Sequence, residues 1–140
     1  MIKYIKDQIE AMTPEQLKRA VATDVMGLSI YHYDKDVEER CYYMLWDENM
    51  NHMAKFIGYH TDERKTEEEA WADCPDFIND FNATFSIIEK LKEKEYGVNI
   101  YVQKGFEPEV TLFVWRGECG SFRGKTLGEA VCKVALVVMK

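Results

Sequence analysis

The sequence predicts an α+β fold in which helices cover an antiparallel β-sheet. Three observations predict it. Capped amphipathic segments stand at the start, middle and end of the chain. Runs rich in β-branched and aromatic residues lie between them. Hairpin-length connections join those runs, which pairs strands antiparallel and leaves the helices to cover the sheet. The 140 residues fit one domain, with 1–12 as an added N-terminal helix and 60–76 as an acidic insert.

Each element has its own signal. Ile2, Ile5, Ile9 and Met12 are spaced by three and four, an apolar stripe on a short helix. Thr13-Pro14-Glu15-Gln16 is a capping box with proline at the first helical position. A residue before proline avoids the α region, so the chain breaks at Thr13. The second helix buries Leu17, Val21 and Val25 and stops at Gly27. Leu28 to Tyr33 adds an edge strand, and Cys41 to Trp46, a polar turn at Asp47 to Asn51, and His52 to Ile57 read as a hairpin. A short helix is expected at Thr66 to Trp71. The central helix follows Asp80, with Asn79 as N-cap, Phe81, Phe85, Ile88 and Leu91 as its stripe, and Gly97 as C-cap. Val98 to Val102 and Val110 to Trp115 alternate around a loop holding Gly105 and Pro108, and Cys119 to Arg123 forms a last short strand. Thr126 opens the final helix, with Glu129 completing a second capping box and Leu127, Ala130, Val131, Val134 and Val138 facing a core.

Composition bounds the function. With 46% hydrophobic and 13% aromatic residues the chain buries a real core, which excludes wholesale disorder. The balance of 25 acidic against 18 basic residues, net −7, argues against nonspecific nucleic-acid binding. No apolar run reaches the roughly 18–20 residues that span a bilayer, and residues 1–7 lack a signal-peptide core, so a cytoplasmic protein without a membrane partner is expected. Cys41, Cys74, Cys119 and Cys132 show no C-x-x-C spacing and are expected as free, mostly buried thiols. His32, His52 and His60 form no metal motif, and no cofactor motif is present. Asp34, Asp36 and Glu38 begin like a calcium loop without its glycine or terminal glutamate, and Glu67-Glu68-Glu69 reads as a solvated face.

Three segments carry a resemblance. Ala22-Thr23-Asp24-Val25-Met26-Gly27 is similar to an opening helix end. Asn79-Asp80-Phe81-Asn82-Ala83 running into Ile87-Ile88-Glu89-Lys90-Leu91 is similar to a central helix, and Thr126-Leu127-Gly128-Glu129-Ala130-Val131-Cys132-Lys133-Val134-Ala135-Leu136 to a closing one. Together they resemble the phage ABA-sandwich domain, a family of small phage and prophage proteins, over residues 13–139. The resemblance implies a three-layer helix–sheet–helix sandwich around the antiparallel β-sheet and a phage-type origin, hence a host cytoplasm. It brings no catalytic residues.

Two constellations are candidates for a site. Gly117 to Thr126 ends like a phosphate-binding loop, but Gly120 leaves three residues before Gly124-Lys125-Thr126 where four are needed, so nucleotide hydrolysis by that loop is not expected. A weaker reading stands: Arg116, Arg123, Lys125 and Thr126 hold one anion at a helix N-terminus. If so, Arg123→Ala costs about 1–3 kcal/mol of binding while Lys90→Ala does not. The second constellation is aromatic. Tyr31, Tyr33, Tyr42, Tyr43 and Trp46, with Tyr59, crowd strands of which only one face is needed for a core.

These features predict a non-enzymatic binding protein for a host factor or a small anionic ligand, a nucleotide immune signal being one concrete form. The alternative is a small phosphate-handling hydrolase or transferase, with Arg116, Arg123 and Lys125 as clamps and Asp47 or Glu118 as base. A virion or scaffold component is the third reading. A homodimer is expected, because aromatic and methionine residues exceed what the core hides and the Tyr/Trp hairpin offers an edge.

Overall fold

The computed structural model describes residues 4–35, 40–47 and 64–138. In order they form α1 (Lys6–Glu10), α2 (Pro14–Ala20), a π-helical turn (Val21–Val25), β1 (Leu28–Lys35) and β2 (Arg40–Asp47). Then come α3 (Glu67–Ala72), α4 (Phe81–Glu93), β3 (Gly97–Tyr101), β4 (Glu109–Val114), β5 (Gly117–Arg123), α5 (Leu127–Ala135) and a 3₁₀ turn (Leu136–Val138). The fold is α+β with antiparallel sheets, as expected. The strands divide between two sheets, β1-β2 and β3-β4-β5, and the chain between two compact units.

The first unit comprises Met1–Val25 and Pro75–Lys140. The Thr13 box and the apolar stripe behind it form as read. Thr13 Oγ1 accepts from the Gln16 N–H at 3.2 Å, and the Gln16 side chain accepts from the Thr13 N–H at 2.9 Å. Leu17, Val21 and Val25 are buried, and Gly27 beyond them has a positive φ of 71°. On β3-β4-β5, the pairs Val98–Leu112–Gly120 and Ile100–Val110–Phe122 share one face, and Leu112, Val110 and Phe122 are buried there. Helix α5 packs on this face against β4 and β5. The opposite, more polar face carries Asn99, Thr111, Glu109 and Arg123 beside Tyr101 and Phe113, with the Thr111 and Ser121 hydroxyls 3.1 Å apart.

Three expectations in this unit are corrected. The buried stripe of α4 is Thr84, Ile87 and Leu91, while Phe81 and Phe85 are exposed and stack on each other at 6.3 Å. Thr84 takes the inward position because its hydroxyl donates to the Phe77 carbonyl at 2.7 Å, which turns the phenylalanines outward. The N-cap is Asp80, whose carboxylate accepts from the Asn82 N–H at 3.0 Å; the Asn79 side chain is held by Asp76 instead. The C-terminal cap is not Gly97. The N–H groups of Glu95 and Tyr96 bond to the Lys92 and Leu91 carbonyls, a Schellman arrangement with Glu95 at a positive φ of 69°. Gly97 already belongs to β3, where a Cβ would stand 2.5 Å from the Phe113 ring.

The second unit is Met26–Cys74. Here β2 pairs with β1, from Leu28 opposite Asp47 to Lys35 opposite Arg40. The other expected partner, 52–57, lies outside the described residues, as do Asp36, Glu38, His52, Tyr59 and His60. On the far side of β2, Tyr43 exchanges two backbone hydrogen bonds with Arg64 at 2.8 and 2.7 Å. The Arg64 guanidinium then grips Asp73, just past α3, at 2.7 and 2.8 Å. Helix α3 is capped by Thr66, whose hydroxyl accepts from the Glu69 N–H. Cys74 and Cys132 are buried, and Cys119 is an exposed thiol.

Candidate functional site

Extension of β5 separates the expected anion cluster. Arg116 sits in the turn before β5 and Arg123 at its far end, so seven residues of extended chain put them roughly 20 Å apart. The Arg116 guanidinium lies over the Trp115 ring, 5.0 Å from its centroid. Arg123 forms an ion pair with Glu109 across the strands at 2.9 Å. Glu118, the carboxylate considered as a base, is exposed on β5.

Lys125 and Thr126 are neighbours in the chain at the start of α5, and Thr126 lines a small pocket. Its volume is about 200 Å³, and Ile78, Asn79, Phe81, Thr84, Thr126, Leu127 and Gly128 line it. It opens where α4 and α5 both begin, because the turn before α4 is pressed against the first turn of α5. The Thr126 hydroxyl accepts from the Glu129 N–H at 3.1 Å and donates to the Ile78 carbonyl at 3.3 Å. The reciprocal half of the expected capping box is missing because Glu129 turns to Lys133, 3.0 Å away. Two residues after Thr126, a Cβ on Gly128 would fall 1.9 Å from the Ile78 carbonyl oxygen, so only glycine permits this approach. The Cys132 thiol reaches the Phe77 carbonyl at 3.5 Å.

The electrostatics of the pocket are mixed. In the first turn of a helix, N–H groups such as those of Leu127 and Gly128 have no intrahelical carbonyl to meet, and the dipole favours an anion. Asp80 occupies the same position at α4. Asp76 accepts from the N–H groups of Ile78 and Asn79 at 3.2 and 3.1 Å. Burial raises its pKa, but these hydrogen bonds, the Asn79 side chain and the charge of Lys18 outweigh it and hold the carboxyl below its ordinary value.

Sequence reasoning missed two features of this unit. Lys133, with 9% of its side chain exposed, is held between Glu129 at 3.0 Å and Glu10 at 3.5 Å and also reaches the Arg123 carbonyl. Burial opposes its charge, yet the two carboxylates outweigh that and hold its pKa above the ordinary lysine value. The i,i+4 spacing of Glu129 and Lys133 was a legible signal; Glu10, far away in sequence, was not. The second is an open groove of about 490 Å³ lined by Tyr4, Met12, Gln16, Arg19, Ala20, Thr23 and Asp24. The Tyr4 hydroxyl donates to Asp24 beside it.

The aromatic candidates belong to the second unit. Trp46 is buried and packs diagonally against Tyr31, ring centroids 4.5 Å apart, so its ring serves cross-strand packing. Tyr43 stacks on the exposed His32 at 4.6 Å. Tyr33 and Tyr42 contribute paired backbone, as does Asp47. Among the described residues no three histidine, cysteine or acidic side chains are grouped to hold a metal, and no helix is long and apolar enough to cross a membrane.

The model of one protein family, the phage ABA sandwich domain, matches residues 19–136. No curated protein matches the chain, and no solved structure does.

Proposed function

The chain belongs to the phage ABA sandwich domain family, and from that premise we propose that it is a non-enzymatic phage or prophage accessory protein that binds a small anionic ligand. The observation that carries this reading is the pocket where α4 and α5 begin. Thr126, Leu127 and Gly128 at the start of α5 line it together with exposed Phe81, and Lys125 is the next residue in the chain before Thr126. Its hydroxyls, on Thr84 and Thr126, are already committed to backbone carbonyls, which suits holding a ligand better than transforming one. Pockets for whole small molecules measure about 300–1,000 Å³. This one is smaller, so it takes a phosphate or carboxylate group and leaves an attached ring outside, against Phe81 and Phe85. A nucleotide signal of host defence has that shape and charge, and its capture would make the protein an anti-defence factor in the host cytoplasm.

The test is a thermal-shift screen against nucleotides and cyclic nucleotides, followed by titration calorimetry. Lys125→Ala and Phe81→Ala should each weaken a hit by about 3–10-fold, the scale of one exposed charge or ring contact. Arg123 must exchange Glu109 for the ligand, so Arg123→Ala should cost less than about 0.5 kcal/mol, roughly twofold. Arg116→Ala and Lys90→Ala should leave affinity unchanged. A flat screen would refute this reading.

One observation favours a second reading, a host protein as partner. Trp115 is 89% exposed and stacked under Arg116 at a hairpin tip, and these two residue types dominate interface energetics. Loss of a captured host protein on Trp115→Ala, with no ligand response, would select it.

A further inference from the structure

The two edges of the three-stranded sheet are unlike. Strand β5 carries Glu118 and Arg123, and an extra residue interrupts its pairing between Leu112 and Phe113. Charges and bulges of this kind keep an edge from joining another strand. Strand β3, Gly-Val-Asn-Ile-Tyr, has no charge and no proline, and its outer edge is unpaired among the described residues. It is also apolar and open: Ile100 is 46% exposed, Tyr101 56%, and Val102 and Phe106 beyond them more than half.

We propose that β3 is a self-association edge that pairs antiparallel with β3 of a second copy, centred on Asn99. The residue order of the strand selects this occupant. Its small residue, Gly97, stands at one end and its largest, Tyr101, at the other, so antiparallel self-pairing sets the Tyr101 ring of each copy beside the Phe113 ring that covers Gly97 of the other, where parallel self-pairing would set Tyr101 against Tyr101. Centred on Asn99, Tyr101 of each copy faces Gly97 of the other, and Val98 faces Ile100. Gly97 has no side chain there and already lies beneath the Phe113 ring, which gives the incoming Tyr101 ring an aromatic neighbour. On the helix-covered face, the row Phe122–Val110–Ile100 would continue into Val98–Leu112 of the second copy, joining two buried layers through the exposed flank of Ile100. This edge replaces the Tyr/Trp hairpin as the dimer contact and does not depend on the ligand reading.

A ladder of five residues is smaller than a standard interface of roughly 800 Å² per partner, so the dimer should dissociate in the micromolar range. Sedimentation velocity from about 1 to about 200 µM should show a shift from monomer to dimer over that range. Ile100→Lys and Tyr101→Lys should each raise the dissociation constant at least about tenfold, whereas Glu118→Lys on the opposite edge should not. Far-UV circular dichroism checks that the variants fold; if Ile100→Lys does not, Tyr101→Lys, on the polar face, decides. Amide hydrogen exchange at residues 98–101 should slow as concentration rises. A monomer throughout, which would leave the edge to a strand of another protein, overturns the proposal. So does a dimer that survives Tyr101→Lys, or exchange at 98–101 that ignores concentration.

Discussion

Gly128→Ala is the substitution whose sign separates packing from propensity. Alanine is the better helix former by up to about 1 kcal/mol, so a glycine in the first turn of α5 with no structural duty would be improved by the change. Here the added Cβ meets the Ile78 carbonyl oxygen at 1.9 Å, and its carbon and Cα at 2.6 and 2.9 Å. Ordinary contact needs about 3.5 Å, so helix and turn must part by roughly 1.5 Å. That displacement breaks the 3.3 Å bond from Thr126 to Ile78 and the 3.5 Å contact from Cys132 to Phe77. Overpacking of this size costs about 1–3 kcal/mol and the lost hydrogen bonds about 1 more. Less the propensity gain, the expected loss is about 1–3 kcal/mol, a fall in Tm of about 3–12 °C. Thermal and urea melts followed by circular dichroism would measure it. Gly120→Ala is the control, because its Cβ would meet Val137 at an ordinary 3.4 Å and should change little. A Gly128→Ala protein as stable as the parent would refute the close approach of α5 to the 77–80 turn.

Glu95 holds a left-handed conformation at φ 69°, so Glu95→Gly should stabilise by about 0.5–1 kcal/mol, read as a higher urea midpoint. Lys133→Met should cost about 1–3 kcal/mol, less than the roughly 3–5 for a fully buried pair because Glu10 and Glu129 regain water. Because the Lys133 pKa is raised on folding, its contribution is complete below the unfolded lysine value and fades as pH climbs through the raised one. Stability should therefore fall in alkali beyond the ordinary lysine range, and less so in Lys133→Met. Asp76 has a lowered pKa, so its contribution is present above the unfolded aspartate value and lost as pH drops through the folded one. Asp76→Ala should cost about 1 kcal/mol at neutral pH and flatten the acid limb of the stability profile below about pH 4.

Legibility in the sequence followed the range of the interactions. The Thr13 box formed as read because both its hydrogen bonds close within three residues. The Thr126 box formed only in half, since Glu129 had a rival partner one turn on in Lys133. The α4 stripe was misread by one position because hydrophobicity alone ranks Phe81 and Phe85 above Thr84, and the Phe77 carbonyl that Thr84 satisfies is not visible in a periodic pattern. The anion cluster looked compact along the chain, yet β5 draws Arg116 and Arg123 to opposite ends of a strand. The pocket that Thr126 lines depends on the closeness of Gly128 to Ile78, which no local rule encodes.

The irregularity in β5 bears on which lengths this strand tolerates. Leu112 faces Gly120 but Phe113 faces Glu118, so Cys119 has no partner of its own in the ladder. In a strict two-residue alternation Glu118 would point the same way as Gly120 and Phe122, toward the helices. The extra residue resets the alternation and sends Glu118 to the polar face. A strand shorter by this one position would keep every other partner across β4 and every inward side chain, whereas losing a neighbour such as Ser121 would invert the residues on one side of the gap. Insertions and deletions in β5 are therefore confined to a single address, and the exposed thiol of Cys119 marks it.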